Sequence, residues 1–237
     1  MLADGLFRSN FFIKLTSWEY WPFGIVQFPV ILYIIWLSLR ARSLLFFSAS
    51  NPGITMGGMF GESKFEVLDK IPSRYIPVTV RIRANSTLEE VMRVIARQRF
   101  AFPLIFKPDL GERGFMVERI KSEKDVEAYL SRIKFDFLIQ ELVDLPLEFG
   151  VFYTRFPNTG SGKVTSVVMK EMLTVTGDGT SSLQQLILRL DRARLQWPIL
   201  QSKFQGRLEE VPGPGKKVEL VSIGNHCLGT SFWMVAI

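Results

Sequence analysis

Three segments between residues 137 and 173 decide the fold: FLIQEL (137–142), FGVFYT (149–154) and VTSVVMKEML (164–173). Each is rich in aromatic and β-branched residues, which favour strands. The last two are joined by PNTGSGK (157–163), which has the composition of a turn. We therefore predict that these strands pair antiparallel.

Shorter strands are predicted before these segments. IPVTVRIR (76–83) has a two-residue alternation, PLIFK (103–107) reads as a short buried strand, and FMVERI (115–120) reads as another. No internal repeat or heptad period is visible. Helices combined with largely antiparallel strands predict an α+β fold, not a doubly wound one.

Capping residues mark where the helices begin. Ser86 and Glu89 have the spacing of a capping box, and Ser122 is predicted to cap a later helix. A short helix is predicted over residues 64–71. GDGT (177–180) is predicted to open a further helix.

The composition excludes several classes of protein. Of 237 residues 47% are hydrophobic, so the chain can bury a core and is not disordered as a whole. One cysteine and one histidine exclude a disulfide framework and a multi-histidine metal site. A net charge of +6 suits an anionic partner. The basic residues are interspersed with acidic ones, as in GERGFMVERIKSEKD (111–125), so we expect no nucleic acid partner.

Residues 1–47 form an aromatic-rich, apolar N-terminal segment, followed by a glycine-rich connector at 48–63. The run WPFGIVQFPVILYIIWLSL (21–39) is near the minimum length for a membrane span, and its prolines predict a helix that begins around Phe28. Arg40 and Arg42 would mark a cytoplasmic end. A span, a helix packed on protein and a helix at a membrane surface all remain open.

Two sets of residues are candidates for binding an anion or a nucleotide. Lys107 ends a strand and precedes DLGERG (109–114), whose glycines, Gly111 and Gly114, let backbone N–H groups turn toward a phosphate. Glu141 and Glu148 lie at the end of one strand and the start of the next, where a linker and a carboxylate can hold a purine and a ribose. Taken singly, each of these residues also fits an ordinary solvated position.

As an ordered set, these residues resemble a known superfamily. The set runs along the chain as Lys64, Lys107 with its loop, the segment from Gln140 to Val143, Glu148, and Lys170 before a Gly-Asp-Gly turn. It resembles the nucleotide-binding part of the ATP-grasp enzymes, and within them D-alanine–D-alanine ligases and the ATP-grasp part of cyanophycin synthetase. The resemblance covers roughly residues 64–225.

The resemblance implies an ATP-grasp fold, with two α+β lobes of largely antiparallel sheets preceded by the apolar N-terminal helix. It implies that Lys64 and Lys107 contact the ATP phosphates, that the loop with Gly111 and Gly114 closes over them, and that Lys170 approaches from the other lobe. The remaining implied roles are an adenine pocket at Glu141, Leu142 and Val143, a ribose contact at Glu148, and a substrate loop beginning at Asn225 and His226. The implied activity is ATP-dependent carbon–nitrogen ligation through an acyl phosphate, with unidentified carboxylate and amine substrates.

ATP-grasp enzymes also hold Mg²⁺ through acidic residues and an asparagine on late strands. The residues after Asn225 include no acid. We therefore expect residues 64–237 to be a nucleotide-binding domain with an incomplete second lobe, truncated at the C-terminus and without its metal ligands. We expect such a chain not to complete a catalytic cycle.

A second hypothesis is a non-catalytic, membrane-associated binding protein. In it, the N-terminal segment docks on a bilayer and the globular part binds a partner. This hypothesis predicts bilayer partitioning without ATP binding. A cytoplasmic location, with possible attachment to a membrane surface, fits both hypotheses.

Overall fold

The computed structural model describes residues 10–16, 21–59, 61–112, 114–221 and 231–235. They form two compact units: Leu32–Asp144 is one, and the described residues up to Ile31 and from Leu145 onward are the other. The helices are α1 (Asn10–Thr16), α2 (Phe23–Ala41), α3 (Lys64–Asp69), α4 (Leu88–Arg97), α5 (Glu123–Leu130), α6 (Leu183–Arg189), α7 (Asp191–Leu195) and α8 (Trp197–Lys203). The strands are β1 (Thr79–Ile82), β2 (Leu104–Pro108), β3 (Glu118–Ile120), β4 (Phe137–Glu141), β5 (Glu148–Thr154), β6 (Lys163–Glu171), β7 (Thr174–Thr176), β8 (Lys217–Glu219) and β9 (Ser231–Val235).

The unit Leu32–Asp144 contains an antiparallel sheet in the order β1-β4-β2-β3. Alternate residues of its strands point to one face and pack with α4 and α5. Phe106 is fully buried there, with its ring centroid 5.3 Å from that of Tyr129 and 5.5 Å from that of Phe137. One face of the sheet is therefore a closed core, and polar residues can occupy the other.

Two local predictions in this unit are wrong. The capping box of α4 is formed by Thr87 and Glu90: the Thr87 Oγ1 accepts the Glu90 N–H at 3.2 Å, and a Glu90 carboxylate oxygen accepts the Thr87 N–H at 2.8 Å. Ser86 is instead used by the preceding turn, where its hydroxyl donates to the Arg83 carbonyl at 3.0 Å. The strand predicted at 115–120 is only β3, because the chain turns at residues 114–116.

The other unit contains two small sheets. β5, β6 and β9 form one antiparallel sheet, and the turn predicted between β5 and β6 is confirmed. The pair β7–β8 packs with α6, α7 and α8 around a second core that includes Leu183, Ile187 and Leu200. Helices with antiparallel sheets confirm the predicted α+β class.

The GDGT sequence lies just before α6 but does not cap it. Ser182 is the N-cap, and its capping box with Gln185 satisfies the first free backbone N–H groups of the helix. The carboxylate of Asp178 instead closes the turn, accepting the backbone N–H of Thr180 at 2.9 Å and that of Ser181 at 2.6 Å. Hydrogen bonds from Ser181 and Thr180 hold the pKa of Asp178 well below its usual range.

Helix α2 begins at Phe23, not near Phe28 as predicted. Pro29 lies inside the helix. A proline at such a position removes one backbone hydrogen bond, and here the helix continues on both sides of it. The Pro22 carbonyl closes the first turn by accepting the N–H of Ile25 at 2.9 Å. Among the described helices, α2 is long and apolar enough to cross a membrane, with a mean hydropathy of 1.7.

Candidate functional site

The second face of the sheet in Leu32–Asp144 carries polar and charged side chains on its three longest strands. Lys107 of β2 pairs with Leu138 of β4, so the two share a face. Gln140 is two residues along β4 and therefore lies on this face as well. The register between β1 and β4 adds Thr79 and Arg81. We call Thr79, Arg81, Lys107 and Gln140 the polar face.

Lys107 is held by a chain of hydrogen bonds across this face. Its Nζ donates to the Gln140 Oε1 at 2.7 Å, the Gln140 amide nitrogen donates to the Thr79 Oγ1 at 2.7 Å, and the Thr79 hydroxyl donates to the Pro77 carbonyl at 2.9 Å. Because a lysine ammonium can only donate, the amide oxygen of Gln140 faces Lys107 and its nitrogen faces Thr79, which fixes the orientation of the amide. Among the described residues, the acceptor for the Lys107 ammonium is thus a neutral amide and not a carboxylate.

Burial disfavours the charged form of Lys107. Desolvation lowers the pKa of its ammonium below the ordinary value of 10.5, and the positive charge of Lys64 lowers that pKa further. Two cations therefore lie close enough to repel each other. An anion that contacts both would relieve this repulsion.

Lys64 occupies the first position of α3, after the N-cap Ser63. Its ammonium donates to two backbone carbonyls of the loop after β2, that of Asp109 at 3.1 Å and that of Gly111 at 2.6 Å. Desolvation lowers the pKa of Lys64, although Asp109, Glu62 and Glu112 act in the opposite direction. The loop predicted to close over phosphates is therefore bonded directly to the lysine predicted to bind them.

Asp109 attaches the start of α3 to the end of β2. Its carboxylate is buried and accepts the Ser63 hydroxyl at 2.8 Å and the Phe65 backbone N–H at 2.9 Å. The Arg81 guanidinium lies 3.9 Å from the same carboxylate and 5.2 Å from the centroid of the Phe65 ring. Because these bonds fix α3, they also fix the position of Lys64.

The glycines of this loop adopt backbone conformations that other residues avoid. Gly111 has a φ of 138° and Gly114 a φ of 74°. The loop returns toward β3 at Met116, whose carbonyl accepts the Tyr129 hydroxyl at 3.1 Å. Both glycines therefore serve the turn itself, and the carbonyl of Gly111 also accepts from the Lys64 ammonium.

Glu141, Leu142 and Val143 lie at the other end of the sheet. Glu141 pairs with Leu104 at the start of β2, about 10 Å along the strand from Lys107. The register also directs the Glu141 side chain to the face opposite Lys107. Glu141 and Leu142 line a cavity of about 370 Å³ together with Val78, Arg99, Phe100 and Asp144.

Glu148 and Lys170 belong to the other unit, and the structure brings them together. They are opposite each other in the β5–β6 register, and the Lys170 ammonium donates to a Glu148 carboxylate oxygen. Asn225 and His226 lie outside the described residues. The described ranges contain no group of three or more His, Cys, Asp or Glu side chains that could hold a metal ion, so no step is assigned to Mg²⁺.

No protein-family model matches the chain, and no curated protein matches it. Similar solved structures include carboxyaminoimidazole ribonucleotide synthase from asperigillus clavatus complexed with ATP, at 16% identity and a TM-score of 0.39, over 47% of this chain and 29% of that one. Others are D-alanine–D-alanine ligase from Helicobacter pylori (14%, TM-score 0.35, 44% of this chain and 32% of that one) and a bifunctional glutathione synthetase from Pasteurella multocida (17%, TM-score 0.30, 67% and 23%). These are ATP-grasp enzymes. The chain spans less than a third of the length of each.

Sequence reasoning missed Asp109 as a buried anchor and Gln140 as the partner of Lys107. The signal for the polar face lies in the two-residue period of the segments 79–82, 104–108 and 137–141. Residues two apart lie on one face of a strand, and Thr79, Arg81, Lys107 and Gln140 are the polar or charged residues of that face. No comparable signal exists for Asp109. Its partner Ser63 lies 46 residues earlier in the chain.

Proposed function

We propose that the polar face with Lys64 binds the phosphates of ATP, and that the chain is the nucleotide-binding part of an ATP-dependent carboxylate–amine ligase. One observation carries the proposal: Lys64 and Lys107, 43 residues apart in sequence, interact electrostatically, and both are held by neutral acceptors. Within the described ranges neither ammonium donates to a carboxylate, and two partly desolvated cations of this kind are suited to a polyanion.

Neutral acceptors matter because they orient a lysine without neutralising it. The hydrogen bond to Gln140 orients the Lys107 ammonium, and the hydrogen bonds to the loop carbonyls orient the Lys64 ammonium. A phosphate oxygen can replace or share these contacts at little cost, since an ionised acceptor makes the stronger hydrogen bond. Arg81 adds a third, more exposed cation beside them.

The roles of the other residues are proposals from the ATP-grasp resemblance. The backbone of the loop with Gly111 and Gly114 would cover the phosphates. Glu141, Leu142 and Val143 would contact adenine, and Glu141 would do so through its backbone, because its side chain lies on the face opposite Lys107. Glu148 would contact the ribose, and Lys170, which forms an ion pair with it, would approach the nucleotide. Asn225 and His226 would contact substrate.

The proposed reaction follows the same resemblance. A substrate carboxylate oxygen attacks the γ-phosphorus, the bond to the β–γ bridging oxygen breaks, and ADP leaves. The amine of the second substrate then attacks the acyl phosphate carbon, giving an amide, inorganic phosphate and a proton. In the first step Lys64 and Lys107 would stabilise the charge that moves onto the phosphate oxygens.

The test is ATP binding by the full chain, measured by isothermal titration calorimetry. Lys64→Met and Lys107→Met each remove one ammonium, and we expect each to weaken binding by about tenfold or more. Lys124→Met is the matched control, because Lys124 lies in the first turn of α5, away from the polar face. It should bind ATP like the wild type.

Two outcomes contradict the proposal. One is no ATP binding by a wild-type chain whose circular dichroism and thermal unfolding show a folded protein. The other is binding that Lys64→Met, Lys107→Met and Lys124→Met weaken equally, which would indicate a general attraction to a basic protein. Titration with tripolyphosphate separates the phosphate contacts from those to adenosine.

A further inference from the structure

Helix α2 exposes apolar side chains along its whole length. Six that are more than half exposed are Phe23, Ile25, Phe28, Leu32, Ile35 and Leu39, with exposed fractions of 51% to 72%. Proteins rarely leave a continuous apolar surface of this kind in water. The helix therefore requires an apolar partner, and its length and composition fit the interior of a bilayer.

The contacts of α1 decide between the two ways a helix can enter a bilayer. α1 precedes α2 in the chain, α7 follows it, and α1 packs against α7 within one unit. Ile13 of α1 is 8% exposed. If α2 crossed the membrane once, α1 and α7 would lie on opposite sides and this contact could not exist. Both ends of α2 are therefore on the same side.

The charge around α2 favours a lipid surface as the partner. Residues 20–61 contain no aspartate or glutamate, but they contain Arg40 and Arg42 just after the apolar run. The Arg40 guanidinium lies 4.9 Å from the centroid of the Trp36 ring, which in turn stacks on Tyr33 at 5.5 Å. Amphipathic aromatic rings beside arginine are typical of the boundary between acyl chains and headgroups.

We propose that α2 is a monotopic anchor, which enters a membrane surface containing anionic lipids from one side and inserts its exposed apolar side chains among the acyl chains. Arg40 and Arg42 would contact the lipid phosphates. This inference is independent of ATP binding, because it uses none of the residues of the polar face.

The first test is flotation of the full chain with vesicles on a density gradient. We expect the chain to float with vesicles of phosphatidylcholine and phosphatidylglycerol, and less with phosphatidylcholine alone. The double variant Phe28→Glu, Ile35→Glu should lose binding on the order of a hundredfold, because two apolar contacts with lipid are removed. The matched control, Ile71→Glu with Tyr75→Glu, places the same charges on exposed apolar positions outside the helix and should float like the wild type.

Failure to float, or equal loss in both double variants, overturns the proposal. A wild-type chain that sediments as a dimer without lipid and does not float would show that a second copy covers α2. Circular dichroism of the double variants checks that they are folded.

The second test separates a monotopic anchor, with both ends on one side of the membrane, from a span. In a Cys227→Ser background, Lys14→Cys marks the residues before α2 and Ser43→Cys those after it. Each variant is bound to sealed vesicles and treated with a membrane-impermeant maleimide. Labelling of both cysteines supports the monotopic arrangement. Protection of either one until detergent is added would establish a span and refute it.

Discussion

Replacing Asp109 should destabilise the unit that carries the polar face. In Asp109→Ala, the Ser63 hydroxyl and the Phe65 N–H both lose a buried, ionised acceptor. A hydrogen bond to a charged group contributes about 1.5–3 kcal/mol, so two contribute about 3–6 kcal/mol. The Arg81 contact adds less than about 1 kcal/mol, because it is 3.9 Å long and the arginine side chain is 43% exposed.

Hydrogen exchange on the intact chain measures the loss of stability in the unit Leu32–Asp144. The opening free energies of the amides in β1, β2 and β4 should fall by the same 3–6 kcal/mol or to the limit of detection. Asp109→Asn keeps one acceptor oxygen and should lose less. The control is Asp69→Ala at the exposed end of α3, which should change them by about 0.5 kcal/mol at most. A loss below about 1 kcal/mol in Asp109→Ala would refute the anchoring role.

Three further predictions concern other parts of the molecule. ATP binding by the wild type should weaken as the pH rises through the pKa of Lys107, which lies below 10.5, because only the charged ammonium attracts phosphate. Calorimetry should show this weakening at a higher pH for Lys107→Arg than for the wild type, because arginine keeps its charge. Gly177→Ala should unfold its unit at markedly lower temperature, since an added Cβ would lie 2.4 Å from a backbone oxygen, whereas Gly160→Ala, with no atom within 4 Å, should not. Thr87→Ala should cost about 1 kcal/mol in urea unfolding and Ser86→Ala much less, because only Thr87 caps α4; equal losses would place the cap elsewhere.

Local patterns in the sequence predicted most elements of the fold. Two-residue alternation predicted β1, a short apolar run predicted β2, and a composition rich in aromatic and β-branched residues predicted β4, β5 and β6. Ser122 was correctly predicted as an N-cap, since its side chain needs only the next turn of the chain. The capping box predicted at Ser86 and Glu89 lies one residue too early, because the Ser86 hydroxyl donates to the Arg83 carbonyl in the turn that contains Asn85, whose φ is 63°.

The candidate site depends on contacts that local patterns do not contain. The Gln140 amide meets Thr79 across 61 residues of chain, and Lys64 meets the loop carbonyls across 45 or more. Strand register then decides which face each residue occupies. A shift of one residue between β2 and β4 would have placed Glu141, and not Gln140, beside Lys107. The sequence indicated that both residues end a strand but could not indicate which one contacts the lysine.

This difference of one residue has a chemical consequence. A carboxylate beside Lys107 would form an ion pair like the one between Lys170 and Glu148, in which the carboxylate already accepts a hydrogen bond from the ammonium. An incoming phosphate would then have to separate two charges before it could bind. With an amide as its partner, Lys107 is oriented while keeping its net charge for a ligand. Gln140→Glu should therefore weaken ATP binding, although it preserves the shape of the side chain and a hydrogen bond to Lys107.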